Sequence, residues 1–154
     1  PKHDNHELLG KTKFAGCLGV MKDVKRNKYT QNAKIEADCS VDGKEVYKLK
    51  STANTANWWY DHRISLIDAK TFADYRTEYF KGGKHIKTID RSWVSANLDD
   101  PRASYWGYWY GKTNTTGHET MAFIPSTITK VNHKYKKKNL WSTRTLKKMP
   151  KKIK

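Results

Sequence analysis

The stretch 105–111 reads YWGYWYG and limits the folds open to this chain more than any other feature. In an extended strand successive side chains point to opposite faces, so Trp106 and Tyr108 point one way while Tyr105 and Trp109 point the other. Such a strand therefore needs either a core on both sides of its sheet or aromatic rings that are partly exposed. A strand with large rings on both faces is the starting point for the fold prediction.

Short segments rich in β-branched and aromatic residues recur along the chain, separated by turn signals such as Gly82-Gly83 and Asp99-Asp100-Pro101. This organisation predicts an all-β fold, a single-domain antiparallel sandwich or small barrel followed by a basic C-terminal tail. One short helix is compatible with the pattern at 68–81, where apolar positions fit a capped helix. Tyr75 and Tyr79 alternate there as in a strand, and we favour the strand.

The clearest hairpin signal lies between Ile35 and Lys50. Asp42-Gly43 favours the positive φ angles of a tight turn, and apolar residues alternate before it while Val46 and Leu49 follow it. We therefore predict two paired strands joined at this dipeptide. The segment 57–67, with its aromatic residues and isoleucines, is predicted to be a further strand.

Length and composition indicate one folded domain. The chain has 154 residues, and its six Trp, nine Tyr and four Phe are too many large aromatic residues for a disordered segment. We divide it into a polar N-terminal lead at 1–10, a β-rich domain at 11–135 and a basic extension at 136–154. No apolar run reaches the roughly 18 residues of a membrane-spanning helix, so no transmembrane segment is expected.

The C-terminal part of the chain has a distinct charge pattern. No acidic residue follows Glu119, whereas 11 of the 31 Lys and Arg residues lie beyond it, and the net charge of the chain is +16. A concentrated field of one sign indicates an anionic polymer as partner. The residues expected to bind it are Lys136, Lys137, Lys138, Arg144, Lys147, Lys148, Lys151 and Lys152.

The two cysteines, Cys17 and Cys39, predict one disulfide if the protein is exported. Closing the loop between them would raise the free energy of unfolding by on the order of 3 kcal/mol in the chain-entropy model. Two buried thiols are the alternative. Neither cysteine has further ligand types at metal-binding spacing, so no metal site and no cofactor are expected.

Six aromatic residues are candidates for contact with a ligand. Exposed indole and phenol rings stack on sugar faces or on nucleobases, and nearby lysines can neutralise phosphate or carboxylate. A core with rings on both sides of the sheet is the structural alternative. The candidates are Trp58, Trp59, Tyr105, Trp106, Trp109 and Trp141, the last of which lies between two basic clusters of the tail.

The sequence indicates a catalytic site less clearly than it indicates a binding surface. If 68–81 is a strand, Arg76 and Glu78 lie on one face, and His118 or His85 could lie on an adjacent strand. A carboxylate base, an imidazole acid and a guanidinium on phosphate would suit metal-independent RNA cleavage. No complete catalytic motif is present, so we expect a protein without enzymatic activity.

Together these features predict a secreted or cell-surface binding protein. It would attach to an anionic polymer, such as a cell-wall polymer or an acidic glycan, through lysine clusters and exposed aromatic residues. A toxin or antimicrobial acting on a bacterial envelope is a variant of this class. The alternatives are a nucleic-acid-binding protein and a small basic ribonuclease. The oligomeric state does not follow from the sequence.

Overall fold

Seven strands account for the regular structure. The computed structural model describes residues 4–17, 40–126 and 129–131, with the backbone alone at 15–17 and 40–42. All seven strands belong to one antiparallel sheet in which each strand pairs with its neighbours in the sequence. The strands are β1 (Asp4–Cys17), β2 (Ser40–Ala53), β3 (His62–Asp68), β4 (Asp74–Lys81), β5 (Lys84–Ser95), β6 (Ser104–Thr113) and β7 (Glu119–Phe123).

The antiparallel all-β class predicted from the sequence is confirmed. The sheet is open: β1 and β7 form its edges in the described part of the chain, so it is not closed into a barrel. The described ranges contain no helix, and therefore no helix long and apolar enough to cross a membrane. The segment 68–81, whose sequence fitted either a helix or a strand, forms β4 from Asp74 onward. Every second side chain of β4 is buried up to Tyr79.

The turn predicted at Gly82-Gly83 is confirmed, whereas the hairpin predicted at Asp42-Gly43 is wrong. Both Gly82 and Gly83 have positive φ angles, as a two-residue hairpin turn requires. Asp42-Gly43 instead lies inside β2, where the pairing with β1 shifts between Phe14 and Gly16. Two residues of β2 then oppose one of β1, so the positive φ of Gly43 serves a β-bulge.

Two other boundaries differ from expectation. β1 begins at Asp4, so much of the segment predicted as a polar lead at 1–10 is strand. The polar composition of this edge strand gave no strand signal in the sequence. The strand predicted at 57–67 begins only at His62. The preceding aromatic residues lie in the connection between β2 and β3, where Asn57 adopts a φ of 59°. Because they are outside a strand, their side chains do not alternate between the two faces of the sheet.

Tyrosine dominates the core. Of the eight buried hydrophobic residues in the described part of the chain, five are Tyr. Tyr79 and Tyr110 lie on opposite faces of the sheet, because the β5 residues with which they pair are an odd number of positions apart. Burial raises the pKa of Tyr110 to about 12, and it also raises the pKa of Tyr108 and Tyr75. These rings contribute apolar area while their hydroxyl groups remain neutral donors. The two-sided aromatic core therefore has polar groups available inside it.

Tyrosine hydroxyl groups donate hydrogen bonds to buried carboxylates, and so does one arginine. Asp90 on β5 is 1% exposed and binds Arg76 on β4 through two hydrogen bonds, Nε to Oδ1 at 2.7 Å and Nη2 to Oδ2 at 3.0 Å. The two residues are paired across the strands, so the salt bridge holds the register at the centre of the sheet. The hydrogen bonds to Asp90 raise the pKa of Arg76.

We predict that Asp90→Ala destabilises the fold by about 3 kcal/mol, because it leaves a half-buried guanidinium without the carboxylate that neutralises it. Urea unfolding measures the change. Asp100→Ala is the matched control, since Asp100 forms an exposed salt bridge with Arg102; its unfolding midpoint should equal that of the wild type. Equal midpoints for both variants would show that the buried salt bridge does not stabilise the sheet.

Candidate functional site

The connection 54–61 folds back over the end of the sheet where β4 turns into β5. Its last residue is fixed on two sides, because Asp61 N–H donates to the Phe80 carbonyl at 2.8 Å and its carbonyl accepts from Ala53 N–H at 2.8 Å. Its carboxylate also accepts from Gly82 N–H at 2.6 Å. The Lys81 amine donates to the carbonyl of Trp58. The aromatic residues between these anchors are therefore held against the sheet.

Tyr60 anchors this connection from below. It is 5% exposed, and its hydroxyl lies 2.8 and 2.9 Å from the two carboxylate oxygens of Asp4 on β1. Arg63 on β3 also contacts Asp4, with Nη2 3.0 Å from Oδ2. Burial and the hydrogen bond to Asp4 raise the pKa of Tyr60. Residues of β1, β3 and the connection thus form one polar cluster, in which Asp4 and Tyr60 are buried and Arg63 is partly exposed.

Trp59 lies on top of this support and is 47% exposed. Its ring centroid is 4.7 Å from that of Tyr79 at 35°, and 4.6 Å from that of Tyr60 at 84°. Both supporting tyrosines are buried. Trp59 is consequently an exposed ring in a fixed orientation, which we call the Trp59 platform together with Tyr60 and Tyr79.

One lysine side chain lies beside the platform ring, and two more flank the adjacent turn. Lys87 pairs with Tyr79 across β4 and β5, and its amine lies 5.9 Å from the Trp59 ring centroid. Lys81 and Lys84 flank the Gly82-Gly83 turn and are exposed. Besides the buried Asp4, Asp61 is an acid close to the platform, with its Oδ1 4.0 Å from the Lys81 amine. An aromatic surface with adjacent cations can stack a flat ring while neutralising an anionic group.

The other predicted aromatic residues divide between two ends of the sheet. Trp58 and Trp109 are partly buried and pack against the cluster of Tyr60, Tyr79 and Ile89, so they support the platform. Tyr105 and Trp106 lie toward the start of β6, opposite Val94 and Trp93. One site is therefore built from Trp58, Trp59 and Trp109, and it does not include the other two.

The residues of the predicted ribonuclease constellation come together only in part. Arg76 and Glu78 do share a face of β4, but the Arg76 guanidinium is bound to Asp90. His118 precedes β7, separated from β4 by two strands, which places it roughly 14 Å away at ordinary strand spacing. His85 is closer: its Nε2 is 2.9 Å from the hydroxyl of Thr88, the residue paired with Glu78.

Several predicted site residues fall outside the described residues. These are Trp141, Cys39 and the basic residues of 136–154, while Cys17 is described by its backbone alone. The disulfide and the basic extension remain predictions. Among the described side chains, no group of three or more His, Cys, Asp or Glu residues is arranged to hold a metal ion.

Sequence reasoning missed Tyr79, which supports the platform, and the nearest cation. Tyr79 and Lys87 were not among the candidates for ligand contact, and the alternation of Tyr75, Thr77 and Tyr79 indicated only a strand. The Gly82-Gly83 turn pairs Lys81 with Lys84, and a β-bulge one step further along sets Lys87, rather than Ile86, opposite Tyr79. The contact with Trp59 depends on the path of the connection, for which the sequence carries no periodic signal.

Comparison with known proteins gives one structural likeness. No protein-family model matches the chain, and no curated protein matches it in sequence. A crystal structure of a domain from Vibrio parahaemolyticus, assigned as an outer membrane lipoprotein-sorting protein, superimposes with a TM-score of 0.52 at 13% identity. The match covers 80% of this chain and 43% of that one, so this chain spans less than half of its length. The likeness shows a shared fold.

We predict that Gly111→Ala disturbs the platform from below. An added Cβ would lie 2.8 Å from Cη2 of Trp109, whose ring covers the glycine, so the indole must move. We expect a loss of about 1–2 kcal/mol in unfolding free energy, the usual cost of overpacking, and a changed near-ultraviolet dichroism signal. Lys112→Ala, at the exposed neighbouring position, is the control. An unchanged signal for Gly111→Ala would contradict the described position of Trp109.

Proposed function

We propose that this protein is a non-enzymatic binding protein of the bacterial envelope or cell surface, and that it attaches to an anionic polymer through the Trp59 platform. The observation that carries the proposal is the combination of exposure and fixation at Trp59. Its side chain is 47% exposed, yet two buried tyrosines hold it and Lys87 lies beside it. Such an arrangement suits recognition of a sugar ring that bears, or adjoins, an acidic group.

Fixation matters for affinity. A flexible exposed tryptophan loses conformational freedom when a ligand orders it, whereas a ring already held by Tyr60 and Tyr79 loses little. The nearby lysines add attraction over a longer range, and their contribution falls as salt screens it. Stacking then supplies selectivity among polymers of the same charge. The basic extension 136–154, predicted from the sequence, would add retention without selectivity.

Association with the envelope is supported by two independent features. The fold is shared with a domain assigned to outer membrane lipoprotein sorting, and the chain has a net charge of +16. A strongly basic surface is attracted to the anionic polymers and lipids of an envelope. Neither feature favours a toxin or antimicrobial role, so the proposal is restricted to attachment. Nucleic acid is the competing ligand, because a nucleobase can also stack on Trp59.

We predict that Trp59→Ala weakens binding to an acidic glycan about tenfold, the usual order of one aromatic stacking contact. Lys87→Gln should weaken it several-fold and reduce its salt dependence. The measurement is a titration of the full chain with heparin, teichoic acid and single-stranded DNA at two salt concentrations, repeated after deletion of 136–154.

Trp106→Ala is the matched control, because Trp106 is an exposed tryptophan at the other end of the sheet. It should bind all three polymers like the wild type. If Trp59→Ala binds the glycans unchanged, the platform is not the site. If it weakens binding of DNA but not of either glycan, the ligand is nucleic acid.

A further inference from the structure

The loop between β3 and β4 carries a strained aromatic residue. Phe72 has a φ of 60°, in the left-handed region that favours glycine, and its side chain is 59% exposed. A bulky residue in this region is a genuine outlier that stores backbone strain. Because more than half of the side chain is exposed, its burial offsets little of that strain. The position therefore combines two unfavourable features, strain and exposure, at one residue.

Buried Asp68 fixes the loop rigidly. Its Oδ1 accepts hydrogen bonds from the backbone N–H groups of Lys70 at 2.8 Å and Thr71 at 2.7 Å, and its Oδ2 accepts from the Tyr75 hydroxyl at 2.9 Å. The N–H of Phe72 donates to the Asp68 carbonyl at 3.0 Å. The loop is thus a preformed turn that holds the Phe72 ring in solvent with little freedom to fold back.

We propose that Phe72 is a membrane contact, whose ring enters the interfacial region of a lipid bilayer while Lys70 meets the headgroups. Aromatic rings favour that region, where their apolar area leaves water. Lys70 is exposed and lies two residues from Phe72, which suits an anionic headgroup. The strain at Phe72 is then the cost of projecting the ring away from the protein.

The pattern of exposed residues favours a bilayer over a protein partner. Phe72 is the one exposed large apolar side chain of the loop after β3. It stands apart from the other exposed apolar residues at this end of the sheet, which belong to β5, β6, β7 and the loop after β5: Val94, Leu98, Trp106 and Phe123. A stable protein interface needs a continuous, well-packed patch of roughly 800 Å² on each partner. Insertion into a bilayer requires only individual exposed apolar side chains. The loop of Leu98 also contains Asp99 and Asp100, so it suits an anionic membrane less well.

The experiment measures partitioning of the full chain to vesicles of phosphatidylethanolamine and phosphatidylglycerol by co-sedimentation. It is done at about 0.5 M NaCl, where attraction between exposed charges is largely screened. Phe72→Asn is the test variant, because asparagine tolerates a positive φ and retains the turn. We expect its partition coefficient to fall about tenfold, from loss of apolar burial, with no fall in its urea unfolding midpoint.

Two further variants provide the controls. Phe72→Trp should partition at least as well as the wild type, and Leu98→Asn should change the coefficient less than twofold. Wild-type partitioning by Phe72→Asn would overturn the proposal and leave a protein partner as the ligand of the ring. An equal loss in Leu98→Asn would also overturn it, because the effect would then belong to the whole end of the sheet. Absence of wild-type binding at high salt would overturn it as well.

Discussion

The pairing of buried carboxylates with arginine and tyrosine is the interaction on which this sheet depends. Asp90 and Arg76 lie at its centre, and a carboxylate that is 1% exposed requires a charged partner with good geometry. Asp4 and Asp68 are buried too, and each accepts a hydrogen bond from a tyrosine hydroxyl. A tyrosine-rich core supplies both the apolar area and these donors, which explains why so polar a chain can form strands with rings on both faces.

The class of the fold followed from the sequence because alternation and turn chemistry are local. β4 and the Gly82-Gly83 turn are examples, since each depends on residues within a few positions of one another. Asp42-Gly43 failed because the same dipeptide serves a tight turn or a β-bulge, and pairing with the distant β1 decides between them. The start of β1 at Asp4 was equally hidden: its partners are some fifty positions away, beginning with Ala53.

The candidate site was predicted in part. Trp59 was among the aromatic candidates, and it is the exposed ring; Trp58 and Trp109 were also named, and they pack beneath it. What the sequence did not indicate is the path of the connection 54–61. Backbone hydrogen bonds hold it to β2 and β4, and the Asp61 carboxylate holds it to the turn after β4. Phe72 was not suspected either, since nothing in a sequence reveals that a phenylalanine has a positive φ.

The central claim is that the Trp59 platform is the surface that meets an anionic polymer. The most direct measurement follows the indole N–H resonances of the six tryptophans by NMR during titration with heparin or teichoic acid. The account predicts that the Trp59 resonance shifts progressively. It also predicts that the Trp93 resonance is unchanged, because Trp93 pairs with Trp106 at the other end of the sheet and its N–H stays bonded to the Asp74 carbonyl at 2.8 Å. A Trp59 resonance that stays fixed while the polymer binds would contradict the account.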